Sequence, residues 1–301
     1  MMESWDVVEW GKPLQKRVRE VPQPTGTQVL LRVSHCGVCH SDLHVQEGFF
    51  DLGGGKKLDM TARLKPPLTL GHEIVGEVVA LGDEVRDVTV GRRYLVNPWT
   101  GCGKCALCLS DRDNLCASGL AIGVNLPGGF ANHVLVPRAK YLVDIDGLDP
   151  AMAAPLACSG VTTYAAARKL QPLAPEDWVA VLGCGGLGLS AIAVLAALGH
   201  QRIIACDIDD VKIEAGLARG AQAGCNISED GAGKLTKAAG GQLYGLLDFV
   251  GSGPTASLVF PCLRKGGRYI VCGLMGGQAH IPLALLALRE IELHGSYVGS
   301  P

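Results

Sequence analysis

The chain of 301 residues lacks an excess of charge of either sign: 27 Lys and Arg oppose 29 Asp and Glu, a formal net charge of −2. That balance gives no electrostatic footprint for nucleic acid or for an anionic membrane surface. It also lacks any run of about 18 consecutive apolar residues, so no membrane span is expected. The start, Met1-Met2-Glu3-Ser4-Trp5-Asp6, lacks the charged-then-apolar pattern of a secretory signal. Internal repeats and low-complexity stretches are missing as well. What the chain does have is a globular composition, 48% hydrophobic and 19% charged, with 12 cysteines. Its length suffices for two domains with a core each.

Four of the cysteines crowd into one stretch. Cys102, Cys105, Cys108 and Cys116 read C-x2-C-x2-C-x7-C. Four thiolates this close suit one tetrahedral zinc, each sulfur reaching the ion at ~2.3 Å from a tight loop. Gly101, Gly103 and Ser118-Gly119 let the backbone bend around such a knot. The alternative, a pair of disulfides or scattered core cysteines, fits poorly with a polar segment. A closed four-sulfur site holds structure and leaves no position for chemistry, so catalysis must lie elsewhere. Cys184, Cys206, Cys225 and Cys272 sit in apolar or Gly-rich segments and read as small core residues. The expected compartment is a reducing cytoplasm in which thiols are kept for metal.

The two halves differ in texture. Up to about residue 150, short β-like runs are broken by Gly and Pro: Val29–Val33, Ile74–Leu81, Arg93–Val96 and Ala131–Val136. This predicts a compact β-rich domain. From about Glu176 the pattern becomes strand–helix–strand: strands at Trp178–Leu182, Arg202–Cys206, Leu246–Val250, Arg268–Val271 and Glu292–Val298, with helices at Leu187–Leu198 and Val211–Ala218. Alternation of this kind makes an α/β fold with a doubly wound parallel sheet. Asp149–Leu170 should be helical and link the halves. The stretch Phe49–Lys65, with Gly53-Gly54-Gly55 and Lys56-Lys57, reads as an exposed loop.

Gly183-Cys184-Gly185-Gly186-Leu187-Gly188 follows a predicted strand and opens a predicted helix, which is G-x-G-x-x-G in its required context. Gly183 permits the tight turn, Gly185 lets the backbone approach a pyrophosphate, and Gly188 allows close helix–strand packing. The helix N-terminus then faces the phosphate charge. Asp207 ends the next strand, where a carboxylate can bind ribose hydroxyls. Asp207, Asp209 and Asp210 would repel a 2′-phosphate, which favours NAD over NADP; an acidic residue there can also be a helix cap.

A second group of potential ligands is Cys36-Gly37-Val38-Cys39-His40-Ser41-Asp42-Leu43-His44, followed by Gly71-His72-Glu73 and by Cys158 within Ala154–Thr163. Two thiolates and one imidazole would leave zinc an open fourth position, as a catalytic site needs. Spacing alone does not bring Cys39, His72 and Cys158 together. Taken singly, each reads as an ordinary structural residue.

Taken together, these motifs resemble those of the zinc-dependent alcohol dehydrogenases of the medium-chain dehydrogenase/reductase family. The resemblance covers essentially the whole chain. Asn97-Pro98-Trp99 and Pro155–Tyr164 are particularly similar to the bacterial and archaeal tetrameric, NAD-linked members. The resemblance implies a GroES-like catalytic domain over residues 1–155, carrying a structural zinc lobe at about 97–119, and a Rossmann domain over 156–301, with the active site in the cleft. It implies two zinc ions per chain and NAD(H). Cys39, His72 and Cys158 would hold the catalytic zinc and Cys102, Cys105, Cys108 and Cys116 the structural one. Glu73 would approach the catalytic ion transiently, and Asp42 would orient His72. His40 would face the cofactor pyrophosphate and Thr162 the nicotinamide. Gly183, Gly185, Gly186, Leu187 and Gly188 would cradle the phosphates, with Asp207 and Lys212 on the adenosine ribose. Trp99 and Phe49 would line the substrate pocket.

The implied chemistry is hydride exchange between an alcohol and NAD, the zinc acting as Lewis acid on the substrate oxygen. Ser41 and His44 would carry the released proton outward. The expected partner is a small alcohol, aldehyde or ketone, with neither nucleic acid nor membrane, in a homodimer or homotetramer. Family members continue past the point where this chain stops, so their C-terminal return to the catalytic domain is expected to be missing. Two other readings stand beside the main one: a polyol dehydrogenase or other medium-chain reductase, and an inactive, truncated dinucleotide-binding protein.

Overall fold

In the strand Val29–Gly37, Val29, Leu30 and Leu31 are buried, and the following Arg32 is exposed. It pairs antiparallel with Glu73–Leu81 at the middle of a five-stranded sheet ordered His133–Val136, Val29–Gly37, Glu73–Leu81, Arg93–Val96, Leu142–Asp144. Successive side chains on a strand point to opposite faces. Ile74 and Val96 therefore join a core with Leu31, Val134 and Tyr141, while Val75 and Leu95 pack on Ala153, Ala154 and Ala157. Each of the buried Val, Leu and Ile side chains contributes ~1.5–3 kcal/mol by leaving water. The strand ends at Gly37, and Cys39 then caps the helix His40–Glu47.

The computed structural model describes residues 1–300, which group into two units. The first comprises Met1–Phe49, Asp59–Val161 and the chain from Val298; the second comprises Phe50–Leu58 and Thr162–Tyr297. The second unit is built on a six-stranded parallel sheet. Its order is Ala223–Asn226, Ile203–Asp207, Val179–Leu182, Leu243–Asp248, Leu263–Val271, Glu292–Gly295. Sequence order thus runs outward in one direction from Val179–Leu182 and then reverses, the dinucleotide-binding arrangement. Alternation again divides the core: Ala180 and Leu182 face one apolar layer, Val179 and Val181 the other.

Two local expectations change. Phe49–Lys65 is not simply a loop. Phe49–Gly53 and Lys56–Asp59 pair as a hairpin, and a Cβ on Gly53 would stand 2.3 Å from the Gly277 Cα, so the turn is closely packed. The helical link divides into Pro150–Ala153, a 3-10 turn Ala154–Ala157 and the helix Ser159–Lys169. Pro155 explains the break, since it has no amide to donate and crowds the preceding turn. Among the described residues no helix is long and apolar enough to cross a membrane.

Candidate metal centres and cofactor site

In the first unit, the lobe begins just after the short strand Trp99–Thr100 and ends where Leu120–Ala121 pairs back on it. This short ladder brings the flanks of the loop together. The sulfurs lie 3.9 Å apart for Cys102 and Cys108, 3.5 Å for Cys105 and Cys108, and 3.8 Å for Cys105 and Cys116. A disulfide would need ~2.05 Å. A tetrahedron with ~2.3 Å arms has edges of ~3.8 Å, so the donor set fits a zinc. Beside it Asp113, 2% exposed, accepts the Tyr141 hydroxyl at 2.9 Å and pairs with Lys140 at 2.8 Å. The Tyr141 oxygen in turn accepts the Gly101 amide at 2.8 Å. The knot is thereby fastened, at the residue before its first cysteine, to the 3-10 turn Ala139–Tyr141 that leads into the strand Leu142–Asp144.

The fold brings Cys39, His72 and Cys158 together, with Glu73 beside them. One ligand atom from each of the four lies within 4.8 Å of the others. Cys39 comes from a helix cap, His72 and Glu73 from the start of a central strand, and Cys158 from the bend after Pro155. The Cys39 and Cys158 sulfurs are 3.9 Å apart, again near a tetrahedral edge. His72 is 1% exposed, and its Nε2 is buried with no hydrogen-bond partner. An orphaned buried polar atom costs ~1–3 kcal/mol, a cost that a bound metal removes. The opposite ring nitrogen, Nδ1, is 3.2 Å from Asp42 Oδ1. Because a carboxylate only accepts, Nδ1 carries the proton and Nε2 offers its lone pair.

Charge is concentrated here. The contact between the two sulfurs holds the Cys39 thiol well below its usual value and drives Cys158 far up. Burial disfavours charge on His72, but the Asp42 hydrogen bond and the neighbouring thiolate prevail and raise it to about 10. Burial, followed by the Cys39 charge, lifts Glu73 to about 7. Without a metal, His72 therefore also holds a proton on Nε2 at neutral pH, and a bound metal would displace it to take the lone pair.

Trp99 packs in one apolar cluster with Cys158, Ala121 and Val298. Its ring centroid is 5.6 Å from that of His72, and its indole N–H donates to the Ala157 carbonyl at 3.2 Å. Phe49, half-buried, is not part of this cluster. Ser41, half-buried, and His44 share the helix His40–Glu47; His40 is exposed and its ring lies 4.9 Å from that of His44. Val298 gives no signal in the sequence, because only the returning chain brings it beside Cys158.

In the second unit, the glycine turn joins Val179–Leu182 to the helix Gly186–Ala197. Gly183 has φ +84, and a Cβ on Gly188 would stand 1.9 Å from the Gly183 oxygen, so both positions require glycine. A Cβ on Gly185 or Gly186 would meet nothing within 4 Å, which leaves the backbone open to an incoming pyrophosphate. Leu187 follows in the helix's first turn. Asp207 is already engaged: Oδ2 accepts the Cys184 amide at 2.8 Å, and Oδ1 accepts Ile208 at 2.8 Å and Asp209 at 3.2 Å. Its carboxylate ties the turn to the neighbouring strand. Thr162 is buried in the helix Ser159–Lys169, and Lys212 is exposed on the helix Asp210–Ala218.

Two family models match. Residues 25–147 match the alcohol dehydrogenase GroES-like domain, and residues 186–301 match the zinc-binding dehydrogenase domain. An NAD-dependent alcohol dehydrogenase of Sulfurisphaera tokodaii is 38% identical over 99% of this chain and 86% of its own length. One from Saccharolobus solfataricus shows the same identity and coverage. Among solved structures, the alcohol dehydrogenase of Aeropyrum pernix superposes with a TM-score of 0.86 at 29% identity, covering 99% of this chain and 86% of that one. The D-arabinose dehydrogenase of Sulfolobus solfataricus gives 0.88 at 27% identity, covering 99% and 89%. With both domain types matched and sulfur and glycine sites formed where that chemistry requires them, the chain belongs to the zinc-dependent, NAD-linked alcohol dehydrogenases of the medium-chain dehydrogenase/reductase family.

Proposed function

We propose that the chain oxidises an alcohol to an aldehyde or ketone with NAD+, and runs the reverse reaction with NADH, at a zinc held by Cys39, His72 and Cys158. The observation that carries this is the buried, unpartnered His72 Nε2 grouped with two thiols at tetrahedral spacing. Zinc there would supply a Lewis acid, and the dinucleotide would supply the hydride acceptor. The chain's own residues do the rest. Asp42 fixes the His72 tautomer. Trp99 walls one side of the site and excludes water. Glu73 offers a further carboxylate donor beside the ligands. Ser41 passes the alcohol proton outward and His44 receives it. Burial, and after it the neighbouring His40, holds His44 below its usual value, so the ring is neutral and able to accept at neutral pH. The lobe quartet holds the structural zinc. The glycine turn with Asp207 takes the dinucleotide, and His40, Thr162 and Lys212 are its further contacts.

The deciding experiment counts zinc per chain and follows NAD+ reduction over primary, secondary, aliphatic and aromatic alcohols. Two zincs and turnover are expected for the wild type; one zinc and no turnover are expected for Cys158→Ala. Retention of both zincs by that variant would overturn the ligand assignment. A sugar or polyol substrate is the second reading, favoured by the likeness to the D-arabinose dehydrogenase, so pentoses and sorbitol belong in the same panel. A homo-oligomer is supported by the open edge of strand Glu292–Gly295, with Leu293 and Tyr297 exposed. A cytoplasmic location is supported by twelve cysteines without a disulfide.

A further inference from the structure

Asp248 ends the strand Leu243–Asp248, in register with Leu182 of the strand that leads into the glycine turn. It is fully buried, yet no cation pairs with it among the described ion pairs. Three hydrogen bonds hold its charge instead. Oδ1 accepts the amides of Val250 and Gly251, both at 2.8 Å, and Oδ2 accepts the Tyr269 hydroxyl at 2.7 Å. Tyr269 is 1% exposed; burial, and after it Asp248, drives its hydroxyl far above the usual range, so it remains the donor. The Asp248 carbonyl accepts two more amides, from Cys272 at 2.8 Å and Gly273 at 2.9 Å.

The loop after Asp248 is therefore fastened on both sides, and it abuts the turn. A Cβ on Gly183 would stand 2.8 Å from the Val250 Cγ2, and a Cβ on Gly251 would stand 2.0 Å from the Gly273 oxygen. Asp207 does the corresponding work across the central strand, accepting amides of Cys184, Ile208 and Asp209. In this strand order each half of the sheet carries one mononucleotide. Asp207 belongs to the adenosine half, and Asp248 ends the first strand of the other half.

We infer that Asp248, braced by Tyr269, is a positioning residue for the nicotinamide half of the cofactor, acting through the backbone of Phe249–Gly251. The inference rests on the NAD(H) reading above. Asp248 itself touches nothing outside the protein. It presets the loop, so that no ordering is required when the dinucleotide arrives. A charged acceptor shared by two amides and a hydroxyl keeps a loop in one conformation far better than a neutral one.

The test measures NADH binding by fluorescence titration and AMP binding by calorimetry on the full chain, for wild type, Asp248→Asn and Tyr269→Phe. If the wild type fails to bind NADH, the cofactor reading itself falls, and that result is visible before any variant is made. Given wild-type binding, Asp248→Asn should weaken NADH about tenfold while AMP changes by less than about twofold. Tyr269→Phe should shift NADH in the same direction by less. Equal losses of NADH and AMP, or unchanged NADH, would overturn the inference. Should Asp248→Asn fail to melt cooperatively, Tyr269→Phe decides on the same comparison of the two ligands.

Discussion

Asp42 and His72 meet through a contact of 3.2 Å between Oδ1 and Nδ1, while the other oxygen of Asp42 accepts the Cys39 amide at 2.9 Å. One carboxylate thus orients two of the metal-site residues, one by its ring and one by its backbone. Oδ1 also accepts the Gly71 amide at 3.3 Å, which fixes the chain just before His72. Asp42→Asn should weaken zinc binding at the Cys39–His72–Cys158 site by about 10- to 100-fold, the usual cost of losing such a partner. Competition with a chromophoric chelator measures this, and the lobe zinc should be unaffected.

Asp113 predicts an acid sensitivity for the lobe. Burial opposes its charge, but the Lys140 and Tyr141 hydrogen bonds outweigh that and hold the carboxyl below its usual value of 3.8. With the folded value depressed, its contribution to stability is present above the unfolded pKa and is lost as pH falls through the folded one. Asp113→Asn should therefore cost about 1–3 kcal/mol at pH ~7 and progressively less below pH ~4. Denaturant melts of both proteins across that range test it, and a difference independent of pH would reject the charge as its source.

His40 tunes His44 in the proposed relay. Removing the neighbouring ring as His40→Gln should let the His44 pKa rise, moving the acidic limb of the kcat–pH profile to higher pH. An unmoved limb would place the titrating group elsewhere. His44→Gln should slow proton release and leave the zinc count unchanged.

Gly188→Ala adds a methyl group that would stand 1.9 Å from a backbone oxygen, where no flexible side chain can yield. The turn must open, at a cost of about 1–3 kcal/mol or more. NADH affinity should fall sharply, while zinc content, held in the other unit, stays at the wild-type level.

The lobe and the glycine turn were legible from sequence because each is local. Cys116 follows Cys102 by only 14 positions, and the turn is one continuous hexapeptide. Cys39, His72 and Cys158 carry no local mark. They converge only because a helix cap, a central strand and a bend after Pro155 meet, and spacing contains none of that geometry. Family resemblance supplied their assignment. The hairpin Phe49–Asp59 was masked by its own turn: three glycines and two lysines read as solvent-facing chain, whereas Gly53 lies against Gly277. Asp248 is illegible in the sequence for a different reason. A lone acid at a strand end signals nothing until its amide and hydroxyl partners are in place.

The unequal spans of the two sulfur sites have a consequence for how the protein matures. One metal closes a loop of 14 residues, whereas the other ties residues 119 apart. Closing the longer loop costs about 2 kcal/mol more in chain entropy. All the quartet's ligands, and the short ladder that closes its loop, are present once the chain has reached Ala121. The other site is complete only after Cys158 has been made and the central sheet has formed. Ordered loading is the expected outcome: chain released before Cys158 should bind one zinc, and only longer chain should bind two.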